Sequence, residues 1–105
     1  MYLAIDFGGT RTRVGWFTPE LHLSQRVEVS SRIEEGQQAV IQRLIDTARQ
    51  VVPSGQQPAA IGICAPGPQA YTGFIRHANT LPGWDDVPLA ALISQAFAGA
   101  PAHME

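Results

Sequence analysis

The chain has 105 residues, 45% of them hydrophobic and only 15% charged, with a formal net charge of −2. That length suits one domain or one piece of a domain, and the apolar share is too high for a disordered chain. The basic residues are scattered from Arg11 to Arg76, which gives no basic patch for nucleic acid, and no apolar run nears the roughly 20 residues of a membrane span.

Tyr2 to Phe7 is short and apolar and runs into Gly8-Gly9, a buried strand ending in a tight turn. Arg11 to Phe17 resumes as a second strand, so the glycine pair joins a hairpin. After the turn Thr18-Pro19-Glu20, Leu21 to Ser30 puts Leu21, Leu23, Val27 and Val29 on one parity and polar residues on the other. This predicts a half-buried third strand, antiparallel to the second.

Ser31 and Glu34 have capping-box spacing and predict a helix from there to about Val52. Val40, Ile41, Leu44, Ile45, Ala48, Val51 and Val52 form its apolar stripe, and Pro53-Ser54-Gly55 ends it. Pro58 to Cys64 reads as a buried parallel strand after a helical crossover, broken by Ala65-Pro66-Gly67-Pro68. Tyr71 to Asn79 predicts a short hairpin. Asp85 or Asp86 is then expected to cap a helix from Val87 to about Ala98, stopped by Gly99. Pro101 to Glu105 begins a further strand. The expected fold class is α/β, a mixed sheet whose first three strands are antiparallel. No internal repeat, low-complexity stretch or linker interrupts it.

Several chemistries are excluded by residue type. One cysteine, Cys64, cannot close an internal disulfide and is expected in the core. His22, His77 and His103 lack metal-ligand spacing. All seven basic residues are arginine, so neither a P-loop nor Schiff-base chemistry is available. The opening Met1 to Asp6 lacks the basic head of a signal peptide.

The sharpest motif is Asp6-Phe7-Gly8-Gly9-Thr10-Arg11. Gly8 and Gly9 let the backbone bend tightly and bring N–H groups close to an anion. Thr10 adds a hydroxyl and another N–H, and Asp6 at the strand end can hold a hydrated Mg²⁺ near phosphates. The bland alternative is an ordinary glycine turn beside a capping aspartate.

At these residues the chain resembles the sugar kinase and actin-like ATPase superfamily, and within it the ROK sugar kinases. Two later segments carry the same resemblance. Ala60 to Pro68 looks like the family's strand and Pro-Gly-Pro loop. Gly73-Phe74-Ile75 followed by Asn79-Thr80-Leu81-Pro82-Gly83-Trp84 resembles its Asn-Leu-Pro-Gly-Trp stretch, with Thr80 standing between the Asn and the Leu. The resemblance implies an RNase-H-like N-terminal lobe of a two-lobed kinase that phosphorylates hexoses or N-acetylhexosamines with ATP and Mg²⁺, usually at the 6-hydroxyl. It implies that Asp6, Gly8, Gly9, Thr10 and Arg11 meet the ATP phosphates, with Asp6 also serving the metal. Gly67 and Asn79 would contact the sugar, and Trp84 is expected in the core or the cleft wall.

The family's catalytic Asp lies in an Asn-Asp pair closing the strand that begins here at Pro101. The sequence reaches Glu105, where that pair is expected next, so no catalytic residue is assigned and the 105 residues alone are expected to be inactive. Asp85 and Asp86 read better as helix caps than as substitutes, and His77 as an exposed hairpin residue. A sheet cut at its last strand is expected to associate with another copy through its edge. A non-catalytic ROK regulator, a self-associating structural module and an acyl-phosphate kinase are the alternatives. The absence of a DNA-binding segment before the first strand counts against the regulator, and the Asn79 to Trp84 stretch favours ROK over the acyl-phosphate kinase. With no signal segment and a need for ATP, the protein is expected in the cytoplasm.

Overall fold

Alternating apolar side chains build the sheet, and a computed structural model describes residues 1–67, 73–75 and 81–105. Its strands are β1 (Tyr2–Phe7), β2 (Arg11–Phe17), β3 (Leu23–Ser30), β4 (Ala60–Cys64) and β5 (Ala102–Met104). Two helices, α1 (Gln37–Val51) and α2 (Leu89–Ala96), complete the order β1β2β3α1β4α2β5. The strands form one five-stranded sheet in the order β3-β2-β1-β4-β5. β1, β2 and β3 are antiparallel neighbours, while β4 runs parallel to both β1 and β5. The mixed sheet with an antiparallel beginning is the one the sequence predicts.

Period-two burial decides which face is covered. Leu3, Ile5, Phe7, Val14, Trp16, Ile61, Ile63 and Met104 point into one core with Val40, Leu44, Ala48 and Val51 of α1 and Leu89 and Ile93 of α2. The opposite parity, with Asp6, Arg11, Arg13, Gly62, Cys64 and His103, faces outward. Both helices therefore cover the same face, and the other face is open. Cys64 is a correction here: it is exposed on that open face, opposite Asp6 in register, and not in the core. An apolar run marks a strand buried on both sides only when a second layer covers it.

The third strand starts later than expected, and its first leucines are not buried. Leu21 lies in a turn at φ 65°, where its N–H donates to the Thr18 carbonyl at 2.8 Å. Leu23 pairs with Phe17, yet Gln25 pairs with Trp16, so one extra residue of β3 is accommodated there. A bulge reverses side-chain parity. Leu23 is thereby carried to the open face, 52% exposed.

Both predicted helix caps are replaced. Ser31 does not cap a helix: Arg32 sits at φ 53°, a single 3₁₀ turn covers Ile33–Glu35, and α1 begins only after Gly36 at φ 98°. The Ser31 hydroxyl is occupied elsewhere. Neither Asp85 nor Asp86 caps α2, whose first flanking residue is Pro88, with no side-chain cap hydrogen bond. Val87 is held instead in an antiparallel bridge with Ile75. The end of α2 is as expected, with Gly99 at φ 76° donating its N–H to the Ser94 carbonyl at 2.9 Å. Most of the Tyr71 to Asn79 hairpin, His77 included, lies outside the described residues.

A candidate phosphate-binding turn

The β1–β2 register closes on Phe7 and Thr12, so Gly8 to Arg11 form the connecting turn. Gly8 donates its N–H to the Arg11 carbonyl at 3.0 Å. A Cβ built on Gly8 would lie 2.8 Å from that carbonyl oxygen. The need for glycine at this position is thus close approach; neither Gly8 nor Gly9 has a positive φ. Among the described residues, the N–H groups of Gly9 and Thr10 have no acceptor. Two adjacent unengaged amides in an exposed turn are an anion-binding arrangement.

The turn is held from beneath. Ser31, buried to 1% exposure, donates its hydroxyl to the Gly8 carbonyl at 2.6 Å and lies 2.8 Å from Thr12 Oγ1. Its N–H donates to the Thr10 carbonyl at 2.8 Å. Arg43 of α1 donates to the Ser31 carbonyl at 2.8 Å and also pairs with Glu35. Sequence reasoning missed Ser31 and Thr12 as parts of the site. Local spacing suggested a helix cap for Ser31; only the strand register, with Arg11 opposite Ser30, brings it beside the turn.

Asp6 ends the exposed row of β1, beside Arg13 and Cys64 in register. Its carboxylate is 3.5 Å from Arg13, and both side chains are about half exposed. Glu28 gathers Arg13 at 2.6 Å, Arg11 at 3.1 Å and Arg26 at 3.5 Å. The hydrogen bond from Arg13 is the main reason that the Glu28 carboxyl is held below the usual glutamate range, and the same bond raises Arg13. The Arg11 guanidinium is therefore drawn along the sheet toward Glu28.

One exposed carboxylate beside two open amides suits Mg²⁺. That ion keeps most of its water and binds through one or two carboxylates and the phosphates it accompanies. Among the described residues no group of three or more His, Cys, Asp or Glu forms a metal cage. Asp6 would hold such an ion at the outer side of the turn.

Parallel pairing brings the next loop to the same place. Asp6 of β1 is level with Cys64 of β4, so Gly8 to Arg11 and Ala65 to Gly67 leave the same end of the sheet. The N–H of Ala65 donates to the Glu105 carbonyl at 3.0 Å, which brings the end of β5 there as well. Gly67 has φ 116°, a conformation suited to glycine. Carboxyl ends of parallel strands are the usual ligand-binding edge of such sheets. Asp6, Gly8, Gly9, Thr10 and the backbone of Arg11 thus lie together at one end of the sheet, and Gly67 leaves the same edge. Asn79 lies outside the described residues. Trp84 is in the core, 2% exposed. No described helix is long and apolar enough to cross a membrane.

Residues 2–102 match the ROK family. A glucokinase of Thermotoga maritima is 30% identical over 88 residues, which are 83% of this chain and 27% of that protein. A ROK hexokinase from Thermus thermophilus superposes with a TM-score of 0.82 at 30% identity, covering 99% of this chain and 34% of that one. A ROK family glucokinase from Streptomyces griseus, solved in complex with glucose and AMPPNP, shares the fold with a TM-score of 0.82 at 20% identity over 99% of this chain and 32% of its own. The chain spans about a third or less of the length of these relatives.

Proposed function

We propose, from the premise that this chain belongs to the ROK family, that it is the N-terminal lobe of an ATP-dependent hexose or N-acetylhexosamine 6-phosphotransferase. The observation that carries this reading is the pair of unengaged N–H groups at Gly9 and Thr10 beside the exposed Asp6 carboxylate. Phosphate oxygens of ATP accept from the two amides and from the Thr10 hydroxyl, and Arg11 adds positive charge. Mg²⁺, when bound at Asp6, supplies charge neutralisation on the phosphates. Gly67, at the same edge of the sheet, contacts the sugar, and so does Asn79.

Transfer makes a bond from the sugar oxygen to the γ-phosphorus and breaks the bond to ADP. The hydroxyl proton must pass to a positioned carboxylate, an aid worth about 10²- to 10⁴-fold in rate. None of the 105 residues is assigned that role. Asp85 and Asp86 precede Val87, whose backbone bridges to Ile75. A polypeptide of these residues therefore turns over no sugar. Among the described residues its outer strands β3 and β5 each have a partner on one side only, and the polypeptide associates through such an edge.

The test is sugar-dependent ADP release with glucose, N-acetylglucosamine, N-acetylmannosamine and fructose. It is run on the 105-residue polypeptide and on the product of the reading frame continued past codon 105. The expected result is turnover only by the latter. No phosphorylation of any sugar by the continued product would overturn the kinase reading. Sustained turnover by the short polypeptide would overturn the assignment of the base elsewhere.

A further inference from the structure

We infer that Ser31 is a positioning residue that aims the Gly9 N–H at the nucleotide phosphates; the inference rests on the nucleotide-binding reading of the turn. A serine hydroxyl has one proton, and the Gly8 carbonyl can only accept. At 2.6 Å the Ser31 proton is committed to Gly8. The 2.8 Å contact with Thr12 is then a donation from the Thr12 hydroxyl to the Ser31 oxygen. The result is a directed chain, Thr12 to Ser31 to Gly8.

The direction of the Gly8 carbonyl fixes the amide that follows it. In a planar trans peptide the C=O and the next N–H point in opposite directions. Ser31 is buried, so its bond turns the Gly8 carbonyl inward and the Gly9 N–H outward. Without the hydroxyl, this glycine-rich peptide can rotate and present an oxygen to the phosphates. A carbonyl in place of an N–H exchanges attraction for repulsion at the same point. The Ser31 N–H holds the Thr10 carbonyl at 2.8 Å, and so grips the turn at its other end. Arg43 fastens the Ser31 carbonyl to α1 and to Glu35. The turn is therefore oriented by a residue that touches no ligand, through a hydrogen bond across 23 positions of sequence.

The experiment compares Ser31→Ala, Ser31→Cys and Ser31→Thr in the 105-residue chain, well below its unfolding temperature. The ¹⁵N relaxation of Gly9 and Thr10 is read beside MgATP affinity. Ser31→Ala is expected to lower the ¹⁵N order parameter of Gly9 and weaken MgATP binding by about 3- to 10-fold, the range of one hydrogen bond. Ser31→Thr keeps the hydroxyl and restores both. Ser31→Cys, nearly isosteric with a weak donor, falls between, and it carries the test if the alanine variant does not fold. In the product of the continued reading frame, KM for ATP rises while KM for sugar holds. Unchanged Gly9 relaxation in folded Ser31→Ala or Ser31→Cys overturns the positioning role. A wild-type chain that ignores MgATP while its Ser31→Ala form loosens Gly9 supports the latch and overturns the nucleotide reading instead.

Discussion

The ring of Trp84 packs against that of Phe7, centroids 5.4 Å apart and planes tilted by 38°. Phe7 is the residue just before the candidate phosphate-binding turn. Trp84 closes the Leu81 to Trp84 segment, where its N–H donates to the Leu81 carbonyl at 3.2 Å. Both rings are buried to 2% exposure. The aromatic contact thus supports the floor of the turn with a segment 77 positions away in the sequence.

Trp84→Ala should cost about 3–5 kcal/mol, the usual range for truncating a large buried aromatic. A domain has only about 5–15 kcal/mol in hand, so the variant is expected to lose a large share of that reserve. Denaturant unfolding followed by far-UV circular dichroism measures this. Trp84→Phe keeps an aromatic partner for Phe7 and should lose clearly less. Equal losses for the two variants would show that the ring contact is not what matters.

Gly8 and Gly62 should respond to alanine with opposite signs. At Gly8 the added Cβ meets the Arg11 carbonyl at 2.8 Å, which is backbone and cannot swing away. A loss of about 1–3 kcal/mol is expected, with weaker MgATP binding because the turn must open. At Gly62 nothing lies within 4 Å of the added Cβ, and φ is not positive. Gly62→Ala should stabilise the 105-residue polypeptide by about 0.4–1 kcal/mol by reducing the freedom of the unfolded chain. Thermal unfolding of both variants decides it.

Asp6→Asn separates metal binding from folding. The Asp6 carboxylate is exposed and has one 3.5 Å pair with an equally exposed Arg13. Such pairs contribute about 0–1 kcal/mol, so stability should barely change. The gain in ATP affinity on adding Mg²⁺ should disappear. Calorimetric titration with ATP, with and without Mg²⁺, reads the difference. An Asn variant that keeps the full Mg²⁺ effect would remove Asp6 from the metal site.

Glu28 should titrate below the ordinary glutamate range, because Arg13 hydrogen-bonds its charged form. A carboxyl lowered in the folded state stabilises that state above the unfolded pKa. The contribution is lost as pH falls through the folded pKa. The loss therefore occurs on the acid side of the ordinary glutamate range, and neutral pH keeps the pairing intact. Carbon-13 titration of the Glu28 carboxyl should show the lowered midpoint, which moves up in high salt as screening weakens the exposed pairs. Arg13→Gln should move it up as well. A midpoint unaffected by that substitution would reject the assigned cause.

Local sequence was enough for the elements whose signals are local. Alternation in Tyr2–Phe7, the glycine pair, the stripe from Val40 to Val51 and the stop at Gly99 are properties of neighbouring residues. The β1–β2 turn was legible for the same reason: Asp6 to Arg11 are contiguous, and hairpin geometry needs nothing distant. Ser31 shows where this ends. Its spacing to Glu34 suits a helix cap, but a hydrogen bond to Gly8 competes for the same hydroxyl, and burial beside the turn decides the competition. Asp85 and Asp86 fail as caps because Val87, bridged to Ile75, and Pro88 stand between them and the first turn of α2. Composition could not locate Cys64 either, since an apolar run does not say how many faces of its strand are covered.

By itself, then, the sequence determined the order of the strands and helices, the antiparallel start of the sheet and the place of the glycine turn between β1 and β2. Only the tertiary structure decided which sheet face the helices cover, how Leu23 is turned outward, and which distant hydroxyl holds the turn. The physical reason is that propensity and periodicity act over a few neighbouring residues. Register, burial and the sharing of one hydroxyl proton are settled only when distant segments meet.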